Sequence, residues 1–334
     1  MNKILVIKHS ALGDVVRTAY TLPGIKEKYP LSEIWWMTSE NAVALLRYNP
    51  YISKIISNKN EINSLTEIEF DLVLSLDDEI EILNILHGIK RKKIIGAYLH
   101  NGVATYTDSS ALWFDMGLIS RLGKNKADEL KKNNRLEHNE ILGKILGINI
   151  TAPCFWNSAE LEKKYLKSNG DVNFYIGLNS GAGSRWPSKE LRISEAIELT
   201  RILSESVVKG KPVKVILLGG IREKDRNLAI MEAVGSPNVT LTKQLALLDF
   251  AAFIAGCDYI ITSDSLTLHL AISQHIPNLG FFAPTSSAEI GVFNTGVKVE
   301  SLSNDYCSYR PDADNSTITA KRILDAFNKH IASI

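Results

Sequence analysis

Cysteine is scarce in this 334-residue chain: Cys154, Cys257 and Cys307 stand far apart, with no CxxC pair. That excludes a disulfide framework and a structural zinc site, and it predicts a reducing, cytoplasmic setting in which the thiols are small packing residues. Long apolar runs are missing too. The N-terminal MNKILVIKHSALGD has only the core ILVI before Lys8, too little for a signal-peptide centre or a membrane span. The most apolar longer stretch, residues 245–257, contains Asp249 and reads as a buried helix. Any membrane contact is therefore expected to be peripheral. Charge of one sign is also not in excess: 38 basic against 37 acidic residues leave a net charge of +1, which names no partner. Without a basic block interleaved with aromatics, nucleic acid is not an expected ligand. Short repeats and low-complexity tracts are absent as well.

What is present is a regular alternation of strands and helices. In the first half, strands are expected at 3–7, 33–37, 54–57, 71–76 and 94–95. Helices are expected at 15–27, interrupted near Pro23, and at 41–47, 79–86, 109–122 and 127–146. A weakly periodic stretch, 148–170, reads as a linker. The second half repeats the pattern, with strands at 174–178, 213–218, 239–241, 259–262 and 279–282 and helices at 188–206, 223–234, 244–255 and 265–274. A last amphipathic helix, 317–331, fits against either half. Alternation of this kind gives parallel sheets covered on both faces, so the expected fold class is α/β with two doubly wound, Rossmann-like domains.

The stretch DYIITSDSLTLHLA, residues 258–271, collects the signals of a binding junction. Tyr259-Ile260-Ile261 is a buried-type strand, Thr262-Ser263-Asp264-Ser265 offers side chains that can cap a helix, and Leu266 opens an apolar helix. A polar turn at the carboxyl end of a parallel strand is where open α/β sheets bind anions, and His269 lies one helical turn beyond Ser265. The plain alternative is a capped β-α junction. After Leu178, the loop Asn179-Ser180-Gly181-Ala182-Gly183-Ser184-Arg185 can bring backbone N–H groups to a phosphate, with Arg185 and Lys189 to neutralise it. It lacks the third glycine of a dinucleotide fingerprint and is not a Walker A loop. Glu223, following Gly219-Gly220, can accept from both hydroxyls of a ribose or serve as a first-turn helix acid.

In the first half, Asp14 closes the loop that starts at His9. It reads either as the acceptor of a proton from an attacking hydroxyl or as the N-cap of a helix beginning at Val15. Asp77 and Asp78 read as a cap and a secondary acceptor contact. No His or third acid joins them at ligand spacing, so no metal site is expected. His9, Gly13, Lys90 and Arg91 are weaker acceptor candidates. The tetrad Lys90-Arg91-Lys92-Lys93 can meet an anionic acceptor or lipid surface, or simply face solvent. Asn315-Ser316-Thr317 fits a glycosylation pattern, which means little in a cytosolic chain.

Taken in order, KILVIKHSALGDVVRTAYTLPGIK, the GAG…RWPSK loop, VILLGGIREK and DYIITSDSLTLHLAISQHIPNLGFFAPT resemble the bacterial heptosyltransferases, glycosyltransferase family nine, over essentially the whole chain. The resemblance implies a GT-B architecture of two Rossmann-like domains facing a central cleft: 1–155 for the acceptor, 170–315 for the nucleotide-sugar, and a terminal helix over 316–334. It implies inverting, metal-independent transfer of a heptose or related sugar, from a nucleotide-sugar with ADP favoured, to lipopolysaccharide or another cell-surface glycan. No cofactor is implied beyond that co-substrate, and the setting is cytoplasmic, with peripheral contact at the inner membrane. On matching positions Asp14 takes the general-base role, Lys189 the diphosphate contact and Glu223 the ribose contact. Asp264, Ser265, Leu266 and His269 form the donor motif, beside the Ser180-Gly181 loop. Leu266 departs from the family by standing where Gly is usual, and Ala283-Pro284-Thr285 replaces Gly-Pro-Thr. Lys189 is followed by Glu190-Leu191 where a tryptophan is common two residues on; a register through Arg185-Trp186-Pro187 gives the phosphate role to Arg185 instead. A nucleotide-sugar epimerase of the same architecture and a non-catalytic sugar-nucleotide-binding protein are the competing readings.

Overall fold

The computed structural model describes residues 3–150, 152–165, 171–183 and 186–334. The chain divides into two compact units, Met1–Trp156 and Asn157–Ile334, each with its own central sheet.

Unit 1 is built on β1 (Lys3–Ile7), β2 (Glu33–Met37), β3 (Ile52–Ile56), β4 (Leu72–Ser75), β5 (Ile94–His100) and β6 (Val103–Tyr106), in the spatial order β3-β2-β1-β4-β5-β6. The pairs are parallel except β5 with β6. All of KILVI except its first residue is buried, as a continuous apolar run with covered faces requires. Ile4, Val6, Leu72 and Leu74 pack under α1 (Leu12–Ala19), α2 (Leu22–Lys28) and a later helix, His138–Leu146; Leu5, Ile7 and Val73 pack under α3 (Ile80–His87). Each such fully buried side chain contributes about 1.5–3 kcal/mol of transfer free energy.

Two departures from the periodicity have local causes. The hairpin β5–β6 turns on Asn101-Gly102, both at positive φ, which is the strongest short-range hairpin signal; apolar alternation alone leaves 103–106 unassigned. The helix expected over 127–146 is broken into α4 (Lys124–Asn133) and α5 (His138–Leu146). The Asn134 side chain causes the break, donating to Leu136 O and accepting from Leu136 N in place of helical bonds.

Unit 2 is built on β7 (Phe174–Asn179), β8 (Lys211–Leu217), β9 (Val239–Leu241), β10 (Tyr259–Ser263), β11 (Asn278–Phe282) and β12 (Gly296–Glu300). The order is β8-β7-β10-β11-β12, all parallel, with β9 and a short antiparallel segment, Val207–Val208, also pairing β8. Its helices are α6 (Ile193–Ser204), α7 (Lys224–Val234), α8 (Leu247–Ala255), α9 (Leu266–Ser273) and α10 (Ala320–Ser333). The helix expected from 188 starts only at Ile193, because Pro187–Lys189 is a single 3-10 turn followed by extended Glu190. Within the expected linker lies a helix, Ala159–Tyr165, whose Lys164 and Tyr165 both bond Asp249 of α8. The terminal helix α10 packs on unit 2: Phe327 meets Tyr259 edge to face at 4.9 Å, and the Tyr259 hydroxyl bonds His330 Nδ1 at 2.7 Å.

Each sheet reverses its strand order once, between β1 and β4 in unit 1 and between β7 and β10 in unit 2. Loops leaving these strands diverge, and such switch points are where open α/β sheets take their ligands.

Candidate functional site

In unit 2 the loops after β7 and β10 carry most of the residues singled out from sequence. Side chains lock the two loops together across the switch point. Ser263 Oγ donates to Gly181 O at 2.9 Å, and Asn179 Nδ2 reaches Thr267 Oγ1 at 2.9 Å and Ser265 Oγ at 3.5 Å. Lys189 Nζ lies 2.8 Å from Asp264 Oδ2 and 3.2 Å from Asp264 O, and His269 Nε2 lies 3.7 Å from Asp264 Oδ1. Burial by itself would raise the Asp264 carboxyl. The charges of Lys189 and His269, with the hydrogen bond from Lys189, outweigh it and hold the carboxyl at about 2.

Ser265 takes the N-cap position of α9 but makes no side-chain cap; its hydroxyl bonds Thr262 Oγ1 at 3.0 Å instead. The expected capping is thus replaced by an inward hydrogen bond, and the N-terminal N–H groups of α9 are left without a side-chain cap, the arrangement that receives anions. Leu266 is the first residue of α9 and is not among the residues at positive φ, so the missing glycine imposes no backbone strain here.

Glu223 is the N-cap residue of α7, and each of its carboxylate oxygens accepts one backbone amide: Oε1 from Gly183 N at 3.1 Å and Oε2 from Gly220 N at 2.9 Å. It therefore pins the two glycine loops together. A Cβ on Gly181 would stand 2.6 Å from Glu223 Cγ, which is why that position has no side chain. Arg226, one turn on, bonds Ser180 Oγ and Leu191 O, tying the same loop to the turn that holds Lys189. Arg185 lies outside the described residues.

Beyond the carboxyl ends of β8 and β9 opens a cavity of about 290 Å³ lined by Gly219, Gly220, Ile221, Lys224, Thr242 and Lys243, among others. The buried Asn227 also lines it; its amide donates to Leu218 O while its side-chain oxygen has no hydrogen-bond partner. Gly219-Gly220 is legible in the sequence. Thr242-Lys243 is overlooked, although the polar turn after a short strand is the same signal that marks Asp264.

In unit 1, α1 begins at Leu12 with Ala11 as N-cap, so Asp14 is not a cap; it sits in the first helical turn. Its Oδ1 pairs with Arg17 Nη2 at 2.9 Å and its Oδ2 lies 4.0 Å from Lys8 Nζ. Arg17 is set over the Trp113 ring at 5.7 Å. Across the switch point, Asp77 Oδ2 accepts His9 N at 2.7 Å and Ser10 N at 3.4 Å and lies 3.7 Å from Lys8 Nζ, binding the loop after β4 to the loop after β1. Burial raises the neighbouring Asp78 carboxyl above its usual range, with Lys8 opposing. The His9 ring Nδ1 is buried with no hydrogen-bond partner, and Gly13 is buried within α1.

The basic tetrad is not brought to this edge. Lys90 and Arg91 pair with Glu69 and Phe70, ahead of β4 and β5, at the amino edge of the sheet and opposite to Asp14. Arg91 donates to Leu86 O and Ile89 O, closing the end of α3, and Lys92 pairs with Asp71 at 2.7 Å. Lys93 lines a separate cavity of about 310 Å³ with Lys28 and Lys144. Asp14 and the Lys90-Arg91 pair therefore belong to different ends of the unit.

The fold is that of known sugar transferases. The structure titled "E. coli heptosyltransferase WaaC with ADP" is matched over 99% of this chain and all (100%) of that one, with TM-score 0.65 and 15% identity. A glycosyltransferase family 9 structure from Veillonella parvula gives TM-score 0.71 at 18% identity, covering 100% of this chain and 98% of that one. Lipopolysaccharide heptosyltransferase 1 of Campylobacter coli is 24% identical over 314 residues, 85% of each chain. A putative glycosyltransferase of Haemophilus influenzae is 21% identical over 86% of this chain and 84% of its own length. The protein is a glycosyltransferase of two α/β units. More narrowly, it belongs to glycosyltransferase family 9, the heptosyltransferases, whose family model matches residues 62–317.

Proposed function

We propose that this chain transfers a heptose or related sugar from an ADP-linked donor to a lipopolysaccharide-type or other cell-surface glycan acceptor, with inversion and without a resident metal or cofactor. The observation that carries the reading is the convergence of Lys189, Asp264, His269 and the uncapped start of α9 on one sheet edge of unit 2. In this reading the nucleoside occupies the cavity beyond β8 and β9. Glu223 meets the ribose hydroxyls with the acceptor sites its two amide bonds leave over, since a carboxylate offers about four. The diphosphate rests on Lys189 and the first N–H groups of α9, beside Ser180, Gly181, Ser265 and Leu266, with Arg185 as a second cation.

As the anomeric C–O bond to the diphosphate breaks, negative charge gathers on the leaving oxygen, where Lys189 and the helix start stabilise it. Among the described residues no group of three or more His, Cys, Asp or Glu could hold a metal ion. In unit 1, Asp14 accepts the proton of the acceptor hydroxyl as its oxygen bonds to the anomeric carbon from the opposite face. Gly13 and His9 flank it. The donor and acceptor classes are those of its relatives, a lipopolysaccharide heptosyltransferase of Campylobacter coli and the E. coli heptosyltransferase WaaC with ADP. The acceptor would be met at the cytoplasmic face of the inner membrane by peripheral contact. Among the described residues no helix is long and apolar enough to cross a membrane.

The test is to incubate the purified chain with ADP-heptose, with and without a lipopolysaccharide-core acceptor, and to follow ADP release and product stereochemistry by NMR. Acceptor-dependent release with an inverted anomeric centre is expected. Turnover of the donor alone to an epimer, or tight donor binding with no turnover under any acceptor, overturns the reading.

A further inference from the structure

Lys189 is held at both ends. Its ammonium is fixed by Asp264, and its backbone is fixed by a residue far along the chain. Asn315 Nδ2 donates to Ser188 O at 3.3 Å and to Glu190 O at 2.8 Å, the carbonyls on either side of Lys189. Ser188 is tied to the same distant segment, its N donating to Pro311 O at 3.3 Å and its Oγ to Arg310 O at 2.9 Å. That segment also reaches the opposite wall of the site. Cys307 N donates to Ala283 O at 3.2 Å and Tyr309 N to Pro284 O at 2.8 Å, in the turn whose Thr285 faces Asp264. Residues 307–315 thus strap the turn carrying Lys189 to the turn beside Asp264.

The chemistry of an amide suits this place. One nitrogen with two N–H groups can serve two carbonyls that bracket a single residue, which a carboxylate, having no donor, cannot do. The turn itself is a lone 3-10 turn without a side-chain cap at its start; Ser188 and Arg226 tie its two ends, and the Asn315 amide serves both carbonyls next to Lys189.

We infer that Asn315 is a positioning residue for the donor's diphosphate: it sets the backbone of Lys189 so that the ammonium stays at the switch point beside Asp264. The inference rests on Lys189 being the diphosphate contact. It also gives Asn315-Ser316-Thr317 a structural meaning, since the amide that a glycan would need is committed to two backbone carbonyls.

The test titrates ADP and adenosine into the wild-type chain, Lys189→Ala, Asn315→Ala and the isosteric Asn315→Asp, each first shown to melt cooperatively. Lys189→Ala is expected to weaken ADP about tenfold or more, the scale of a lost charge-assisted bond, while adenosine is unchanged. Both Asn315 variants are expected to weaken ADP about three- to tenfold, again without effect on adenosine. If Lys189→Ala weakens ADP and the Asn315 variants do not, or if they weaken ADP and adenosine alike, the positioning role is wrong while the diphosphate reading stands. If Lys189→Ala leaves ADP affinity untouched, or the wild type binds no ADP, the diphosphate reading falls and this inference with it.

Discussion

Lys189 Nζ stands 2.8 Å from Asp264 Oδ2, and the two side chains keep only 17% and 13% of their surface exposed. This pair joins the two loops that diverge at the switch point of unit 2. In the proposed reading the carboxylate orients the ammonium for a diphosphate to share, and the largely buried setting makes each charge depend on the other.

Neutralising the acid should therefore hurt stability and donor binding together. Asp264→Asn leaves a largely buried ammonium without its counter-charge, an error worth about 3 kcal/mol at the lower end of the range for broken buried pairs. A urea midpoint unchanged from wild type would show that the pair contributes nothing.

The same carboxyl predicts an acid limb of stability. It is held at about 2 in the fold against an ordinary 3.8, so its contribution is present above the unfolded value and lost as pH falls from about 4 towards 2. The loss amounts to about 2 kcal/mol for a depression of this size. Urea unfolding of wild type and Asp264→Asn at pH 5 and pH 2.5 should show the wild type losing this increment and the variant lacking it.

Asp14→Ala should lower kcat by about 10²–10⁴, the usual worth of a positioned acid or base, while ADP affinity stays at the wild-type value. Near-full transfer activity in this variant would remove Asp14 from the mechanism. Its neighbour Arg17, 2.9 Å away, makes a useful companion: Arg17→Met should reduce kcat by misplacing the carboxylate and leave ADP affinity alone.

Gly181→Ala tests the pinning of the glycine loops. The new methyl would stand 2.6 Å from Glu223 Cγ, so the carboxylate must move and give up its bonds to Gly183 and Gly220. Overpacking of this kind costs about 1–3 kcal/mol, and the KM for the donor should rise with it. A variant with wild-type melting and wild-type KM would mean the loops do not need Glu223.

Much of this molecule is written in local pattern. Strand–helix alternation, the buried run KILVI, the polar turn after Tyr259-Ile260-Ile261 and the Asn101-Gly102 hairpin signal all depend on residues within a few positions of one another. So do the boundaries that Asn134 and Pro187 impose. Such features follow from side-chain period and turn chemistry, which the chain carries with it before any sheet forms.

What only the tertiary structure decided is which loops meet. Lys189 and Asp264, 75 residues apart, meet because β10 inserts beside β7, and Asn315, 125 from Glu190, reaches it because the segment 307–315 runs back along the turn that carries Lys189. Tertiary packing likewise gave the Glu223 carboxylate to two amides, one of them on Gly183, 40 residues away. Alternation specifies that strands will be parallel and covered, but many orders bury the same apolar faces. By itself, then, the sequence determined the elements and the residue types at their ends, whereas the packing of one strand order over the others determined which of those ends meet in the candidate site.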